Sequence, residues 1–341
     1  MSGKTLKEIA ELVAGTLSNA SEMLIFGATN IEEASEREIT FAVPPHIEKA
    51  AKSKAGAVII PRGMDFPSDK PVIEVENPRV AFATLLELFQ PPLEIERKIH
   101  PLAHVAESAV IGKDVAVLPF AVIAENAIIG DGSIVYPHVY IGRNVKIGEN
   151  SVFHANCSVY DNCVIGDNVI IHSGAVVGGD GFGYVEISRQ HHKVPQVGNV
   201  VIGDNVEIGC NSCVDRGTTG STIVGKGTKI DNLVHIGHND VIGENCILIA
   251  FVGLPGSVKV GDNVTFAGQA ATVGHITIGD NCVFAGRAGV ISDVPSNSVY
   301  AGFPAQPHKD WLKKEAMQRK IPGLLKKLQQ LEDKINQLEN K

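Results

Sequence analysis

Two imidazoles three residues apart are the most reactive feature of the chain, in the stretch Asp231-Asn232-Leu233-Val234-His235-Ile236-Gly237-His238-Asn239. A neutral imidazole takes up a proton near pH 7, and it also ligates zinc. Together with His275 the pair supplies three candidate zinc ligands, and Asp231 supplies a carboxylate that could orient an imidazole base. The thiols offer less. Cys210 and Cys213 form one C-x-x-C without a second, which is weak support for zinc or redox work. Cys157, Cys163, Cys246 and Cys282 share one slot of a six-residue pattern, where small buried side chains fit.

That pattern is what must position the imidazoles. From Val105 an apolar residue recurs at every sixth position through Val177. The frame resumes at Ile202, Ile208 and Val214, and again from Val224 through Val290. Of these 28 positions only Thr272 is not apolar. The next residue is often Gly, as at Gly112, Gly142, Gly166, Gly203, Gly243 and Gly279. The third residue on is often Asn, as at Asn144, Asn162 and Asn245. Both types accept left-handed backbone angles, so each hexapeptide reads as a short strand and a corner with the apolar residue inward. No unit is stable alone, and stacking them buries a continuous core. His235 stands at the penultimate place of its hexapeptide, where packing or solvent is expected.

The frame breaks twice. An insert between Val177 and Ile202 contains Asp180-Gly181-Phe182-Gly183-Tyr184 and Val194-Pro195-Gln196-Val197-Gly198. Between Val214 and Val224, four extra residues follow Asp215-Arg216-Gly217. Loops that leave a rigid scaffold tend to carry function.

Residues 1–100 lack the hexad. The spacing of Leu6, Ile9, Leu12 and Val13 predicts a helix over Thr5 to Val13. Ala57 to Ile60 and Val72 to Val75 read as buried strands, and Val80 to Phe89 as a second helix. This small α/β domain ends near a Gln90-Pro91-Pro92 linker. After Pro307 the chain reads as helix, with Leu324, Leu328, Leu331, Ile335 and Leu338 in a heptad seam. Residues 309–341 carry nine Lys or Arg and five acids, whereas the whole chain of 341 residues has a formal charge of −8. The acidic balance argues against nucleic acid as partner. No apolar run is long enough to span a membrane and no secretory leader is visible, so a cytoplasmic protein with reduced thiols is expected.

The repeat resembles the hexapeptide-repeat acyltransferases, whose left-handed parallel β-helix has three hexapeptides per coil. The resemblance covers roughly residues 101–295 and implies about nine coils. Four motifs in order sharpen it: the His238 stretch, the Asp-Gly-Phe-Gly-Tyr insert, Val194 to Gly198, and Asp215-Arg216-Gly217. With them the chain is similar to the UDP-3-O-(3-hydroxyacyl)glucosamine N-acyltransferases of lipid A biosynthesis. The resemblance implies a mainly β fold: an α/β uridine-nucleotide domain over 1–100, a β-helix catalytic domain over 101–303, and a helical segment for trimerisation and carrier docking over 304–341.

It also implies the reaction. A 3-hydroxyacyl chain moves from acyl carrier protein, on whose 4'-phosphopantetheine it rides, to the 2-amine of UDP-3-O-acyl-glucosamine. A homotrimer is implied, with no resident cofactor or metal. His238 matches the general base and His275 a supporting residue. Gly256 lies 18 residues, one coil, after His238, so its N–H is expected at the same corner as an oxyanion donor. Asp231 is expected to orient the imidazole. Phe41 matches a ring that stacks on uracil, but Pro44 and Ile47 replace the Asn and the second aromatic of that site. Uracil is therefore expected to be held less tightly or by other residues. Gly286, Ala288 and Gly289, beside Arg287, are expected to leave an acyl groove open. Lys309, Lys313, Lys314, Arg319 and Lys320 are expected to steer the acidic carrier. The alternatives are another nucleotide-sugar N-acyltransferase, or a zinc hydrolase on the same prism using His235, His238 and His275.

Overall fold

The computed structural model describes residues 3–19, 22–91, 94–303 and 308–339. Pro92 of the expected linker, and residues 304–307, 340 and 341 of the expected C-terminal segment, lie outside the described residues. Two compact units divide the chain, one ending at Ile95 and the other beginning at Glu96. The second starts before residue 101 because its first coil extends backwards. Val117 N–H donates to Lys98 O at 3.0 Å, His100 N–H donates to Val117 O at 2.8 Å, and Ile99 bridges Val117.

In the second unit the hexad becomes a left-handed parallel β-helix. Its three faces hold ten, ten and nine parallel strands, so with three strands per coil it makes about ten coils. The first face runs from Ala116–Val117 to Val299–Tyr300. The second runs from His104–Val105 to Gly289–Val290, and the third from Val110–Ile111 to Thr277–Ile278. Every one of the 28 hexad residues falls in a strand; Val299–Tyr300 adds a further strand that the hexad does not mark. Nearly all the hexad residues point inward and are buried, with Phe153, Phe266 and Phe284 the largest of them. Each such aliphatic or aromatic side chain contributes about 1.5–3 kcal/mol. Among the described residues, the enclosed Thr272 hydroxyl has no hydrogen-bond partner.

The corners correct one expectation. Asn in the third place after the hexad residue does take left-handed angles, as at Asn144 (φ 54°) and Asn162 (φ 68°). The Gly that follows the hexad residue does not, except Gly178 (φ 87°) at the base of the longer insert. A Cβ on Gly112 would lie 2.4 Å from Asp131 Oδ1, and one on Gly142 would lie 2.5 Å from Asp161 Oδ1. These glycines are required by the closeness of the next coil, not by backbone sign. Aspartates at these corners cap the coil beneath. The N–H two residues after the hexad residue donates to such a carboxylate at Lys113, Arg143, Glu149, Asp167, Glu244 and Asp262.

The first unit is a five-stranded sheet in the order Thr16–Ser18, Val72–Val75, Ala57–Pro61, Glu38–Phe41, Gly27–Ala28. Only the first pair is antiparallel. The helix Leu6–Leu12 starts with a capping box between Thr5 and Glu8. The helix Pro78–Phe89 is capped by Asn77. Both expected helices and both expected strands are present, and the remaining short strands are additions.

At the other end His308–Glu339 is one helix containing Pro322. Leu324, Leu328, Leu331, Ile335 and Leu338 are all about half exposed or more in the single chain. Of the expected docking residues, Lys309, Lys313 and Lys320 fall on one helix face, whereas Lys314 and Arg319 fall on others. None of the described helices is long and apolar enough to cross a membrane. All six cysteines are free. Burial pushes the Cys157 thiol up to about 12 and the Cys163 thiol to about 11, which suits packing rather than reactivity.

Candidate active site

His238 sits at the corner between the second and third faces, two residues after the inward-pointing Ile236. Glycines close on it from two sides. A Cβ on Gly181, from the insert, would lie 2.6 Å from His238 Cβ. A Cβ on Gly256, one coil on, would lie 3.0 Å from His238 Nε2, and Gly256 has φ +122°. The half-buried ring therefore fits only because both neighbours lack side chains.

Gly256 brings an unused donor to that nitrogen. At the six corners capped by aspartate, the equivalent N–H is taken by the carboxylate of the next coil. Here the next coil offers Gly274, which has none. Among the described residues no acceptor takes up the Gly256 N–H. The residue that carries the free donor thus packs against the nitrogen base.

The other ring nitrogen faces Asn239. Nδ1 of His238 is 3.2 Å from Asn239 Oδ1. Asn239 Oδ1 also accepts from Thr218 N–H at 3.0 Å, and Asn239 Nδ2 donates to Thr219 O at 2.7 Å. Thr218 Oγ1 donates to Gln196 Oε1 at 2.9 Å, and buried Gln196 donates on to Val194 O at 3.0 Å. Both interruptions of the hexad therefore converge on one imidazole. The insert itself is a hairpin of Tyr184–Ile187 against Gln190–Lys193. Arg216 holds its base through Gly178 O at 2.7 Å and stands 3.8 Å from Asp180, which also pairs with Lys193.

Asp231 does not orient His238. It lies at the corner between the first and second faces, the opposite edge of the second face from His238. One hexapeptide of separation carries the chain round to the next corner. Its oxygens accept from Asn232 N–H at 2.7 Å and Ala250 N–H at 3.0 Å. The carboxylate whose field reaches the ring is Asp215. It is 3.7 Å from His235 Nε2, and burial holds its carboxyl above the usual range despite the opposing pull of His235 and His238. Asp240 lies fully buried beneath the corner. It accepts from Gly237 N–H at 2.9 Å and Val258 N–H at 2.8 Å, so it ties the His238 coil to the Gly256 coil. Burial raises it to about 7.

His275 is at the same corner, one slot further along and two coils on, and its N–H donates to Gly256 O at 3.3 Å. Two coils amount to about 10 Å along the axis. Gly256 thus meets the His238 ring on one side and the His275 backbone on the other. His235 points outward from its strand. Among the described residues of one chain, no group of three His, Cys, Asp or Glu side chains could hold a metal ion.

Beyond His235 the outer row of the second face becomes smooth: His235, Gly253, Ala271 and Gly289 lie in register. Ala288, expected in the groove, is instead inside the core, because its slot points inward. Gly286 and Arg287 turn the corner from the first face, where Arg287 donates to Gln269 at 2.6 Å and covers the Phe303 ring.

In the first unit Phe41 lines a hollow of about 260 Å³ with Asn30, Thr40, His46, Lys49 and Arg79. Its ring lies 4.8 Å from that of Phe82, tilted by 42°. The buried Thr40 hydroxyl has no partner among the described residues.

A hexapeptide β-helix with a histidine corner sets the fold class, and the relatives of the chain narrow it. Residues 22–88 match the family model described as UDP-3-O-(3-hydroxymyristoyl) glucosamine N-acyltransferase. Residues 108–143, 120–155 and 144–179 match the bacterial transferase hexapeptide model. A UDP-3-O-acylglucosamine N-acyltransferase from a Geobacter species is 56% identical over 99% of this chain and 98% of its own. One from Methylacidiphilum infernorum is 53% identical over 97% and 95%. Among solved structures, a UDP-N-acetylglucosamine acyltransferase from Arabidopsis is 30% identical, with a TM-score of 0.55 over 60% of this chain and 71% of that one. The chain belongs to the UDP-3-O-acylglucosamine N-acyltransferase family.

Proposed function

We propose that the chain moves a 3-hydroxyacyl group from the 4'-phosphopantetheine thioester of acyl carrier protein to the 2-amine of UDP-3-O-acyl-glucosamine in lipid A biosynthesis. The observation that carries this reading is Gly256, whose N–H has no acceptor among the described residues, packed against His238 Nε2. Amide formation from a thioester needs those two groups together. The amine attacks the thioester carbonyl and Nε2 of His238 takes its proton. The developing oxyanion accepts from Gly256 N–H. The C–S bond then breaks, and the proton passes from the imidazolium to the departing thiolate. His275, two coils on, supports the acyl end of the donor.

The nucleotide belongs to the hollow in the first unit. Phe41 offers a ring face, and Lys49 and Arg79 offer charge for phosphates. These residues take over from the Asn and the second aromatic that Pro44 and Ile47 replace. The acyl tail runs along the smooth row Gly253–Ala271–Gly289. The exposed seam from Leu324 to Leu338 is suited to packing against its copies in a homotrimer. Lys309, Lys313 and Lys320 form the face that meets the acidic carrier, with Lys314 and Arg319 beside it. The work takes place in the cytoplasm without a bound cofactor.

Mass spectrometry of products from UDP-3-O-acyl-glucosamine and acylated carrier protein tests the reaction, and His238→Ala tests the base. The variant should stay folded and lose about 10²–10⁴ in kcat. Near-normal turnover in a folded variant refutes the assignment.

A further inference from the structure

We propose that Asn239 is a positioning residue that locks His238 in the tautomer carrying its proton on Nδ1, and that both interruptions of the hexad serve to hold Asn239. The inference rests on His238 acting as the base. Its ground is the direction of the hydrogen bonds around the Asn239 amide. Thr218 N–H can only donate, and it meets Oδ1 at 3.0 Å. Thr219 O can only accept, and it meets Nδ2 at 2.7 Å. Two backbone groups thus fix which end of the amide is oxygen. The oxygen faces His238 Nδ1 at 3.2 Å, so that nitrogen must donate. In the neutral ring the lone pair is then on Nε2, the nitrogen turned to Gly256.

Other asparagines in this slot do something simpler. Asn126, Asn144 and Asn162 donate to one another up their corner, a ladder that stiffens the prism and touches no imidazole. Asn239 is withdrawn from such a ladder because Thr218 and Thr219 come from the four-residue insertion. Its own N–H donates to Thr222 Oγ1 at 2.8 Å. Gly217, at the same slot one coil earlier, makes room: a Cβ there would lie 2.8 Å from Asn239 Nδ2. Gln196 from the longer insert then fixes Thr218 through its hydroxyl.

The test compares kcat and KM against pH for the intact protein, Asn239→Ala and Asn239→Asp, with a thermal melt of each. Asn239→Ala should lower kcat roughly 10²-fold, less than the roughly 10⁴-fold of an enforced wrong tautomer because the unlocked ring still samples the right one, and leave KM within about twofold. Asn239→Asp keeps the acceptor and so should recover most of that loss at high pH. Its carboxylate stabilises the imidazolium, so the acidic limb of kcat should move up by about one pH unit. The other charged or titratable groups around the ring, Asp180, Asp215, Arg216, His235 and Asp240, are unchanged in both variants. A folded Asn239→Ala with kcat within about twofold of the parent overturns the inference, as does an unmoved limb in Asn239→Asp. If the alanine variant melts early, the aspartate variant decides alone. Retained activity in His238→Ala would instead overturn the base assignment beneath it.

Discussion

Gly289→Met should shorten the acyl chain that the enzyme prefers. Gly289 stands on a strand, outside the left-handed backbone region, and a Cβ built there meets nothing within 4 Å. A side chain is therefore tolerated and must project over the second face. His235 and Gly289 are three register steps apart, through Gly253 and Ala271. At about 4.8 Å per step the new side chain lies at least about 14 Å along the axis from the His235 level. A zigzag carbon chain advances about 1.3 Å per carbon, so roughly eleven carbons fit before the obstruction. Each methylene denied burial costs about 0.8 kcal/mol, or roughly fourfold in kcat/KM. Competition between donors of increasing length reads this directly. Donors of up to about ten carbons should be unaffected, and longer ones should fall off about fourfold per added methylene. An unchanged length profile in a folded Gly289→Met protein would show that the tail takes another path.

Two stability predictions follow from groups in the prism. Thr272→Val removes the buried hydroxyl that has no partner; it should stabilise the prism by about 1 kcal/mol and raise Tm by about 2–4 °C, and a lower Tm would mean that the hydroxyl is satisfied after all. Asp240 binds its proton up to about pH 7 in the folded chain but only to about 4 when unfolded, so it favours the fold at low pH and this contribution is lost as pH rises from about 4 to 7. Relative to Asp240→Asn, the parent should lose Tm across that window, and parallel curves would contradict the assignment.

The fold was legible because a strict period of six leaves one geometry for the inward residues. Even the break points were visible, since an insertion shifts the frame for everything after it. What the period could not show is why a residue occupies its slot. Gly at the second place of a hexapeptide looks like a turn residue, yet Gly112 and Gly142 answer to an aspartate in the next coil. Asp231 looked like a partner for His238 because the two are close in sequence. In a prism, seven residues of separation means a different corner, and proximity belongs to residues one coil apart. The same rule placed Gly256 correctly. Ala288 was misplaced because it shares an inward slot with Cys246 and Cys282, a slot already read as buried for the cysteines.

Asn239 was hidden for a different reason. Its slot is often asparagine along the prism, so nothing in its type or spacing set it apart from Asn144 or Asn245. Only its partners do, and they come from Thr218 and Thr219, inside a break in the repeat. The prism supplies a stack of similar corners, most with a left-handed residue and six with an N–H capped by aspartate. The corner proposed as catalytic differs from the others in three ways. Gly274 leaves the Gly256 N–H uncapped, Gly181 admits the imidazole, and the insertion redirects one asparagine from its ladder to the ring. Each change is small and none disturbs the inward residues, which is why the core can remain periodic through the site.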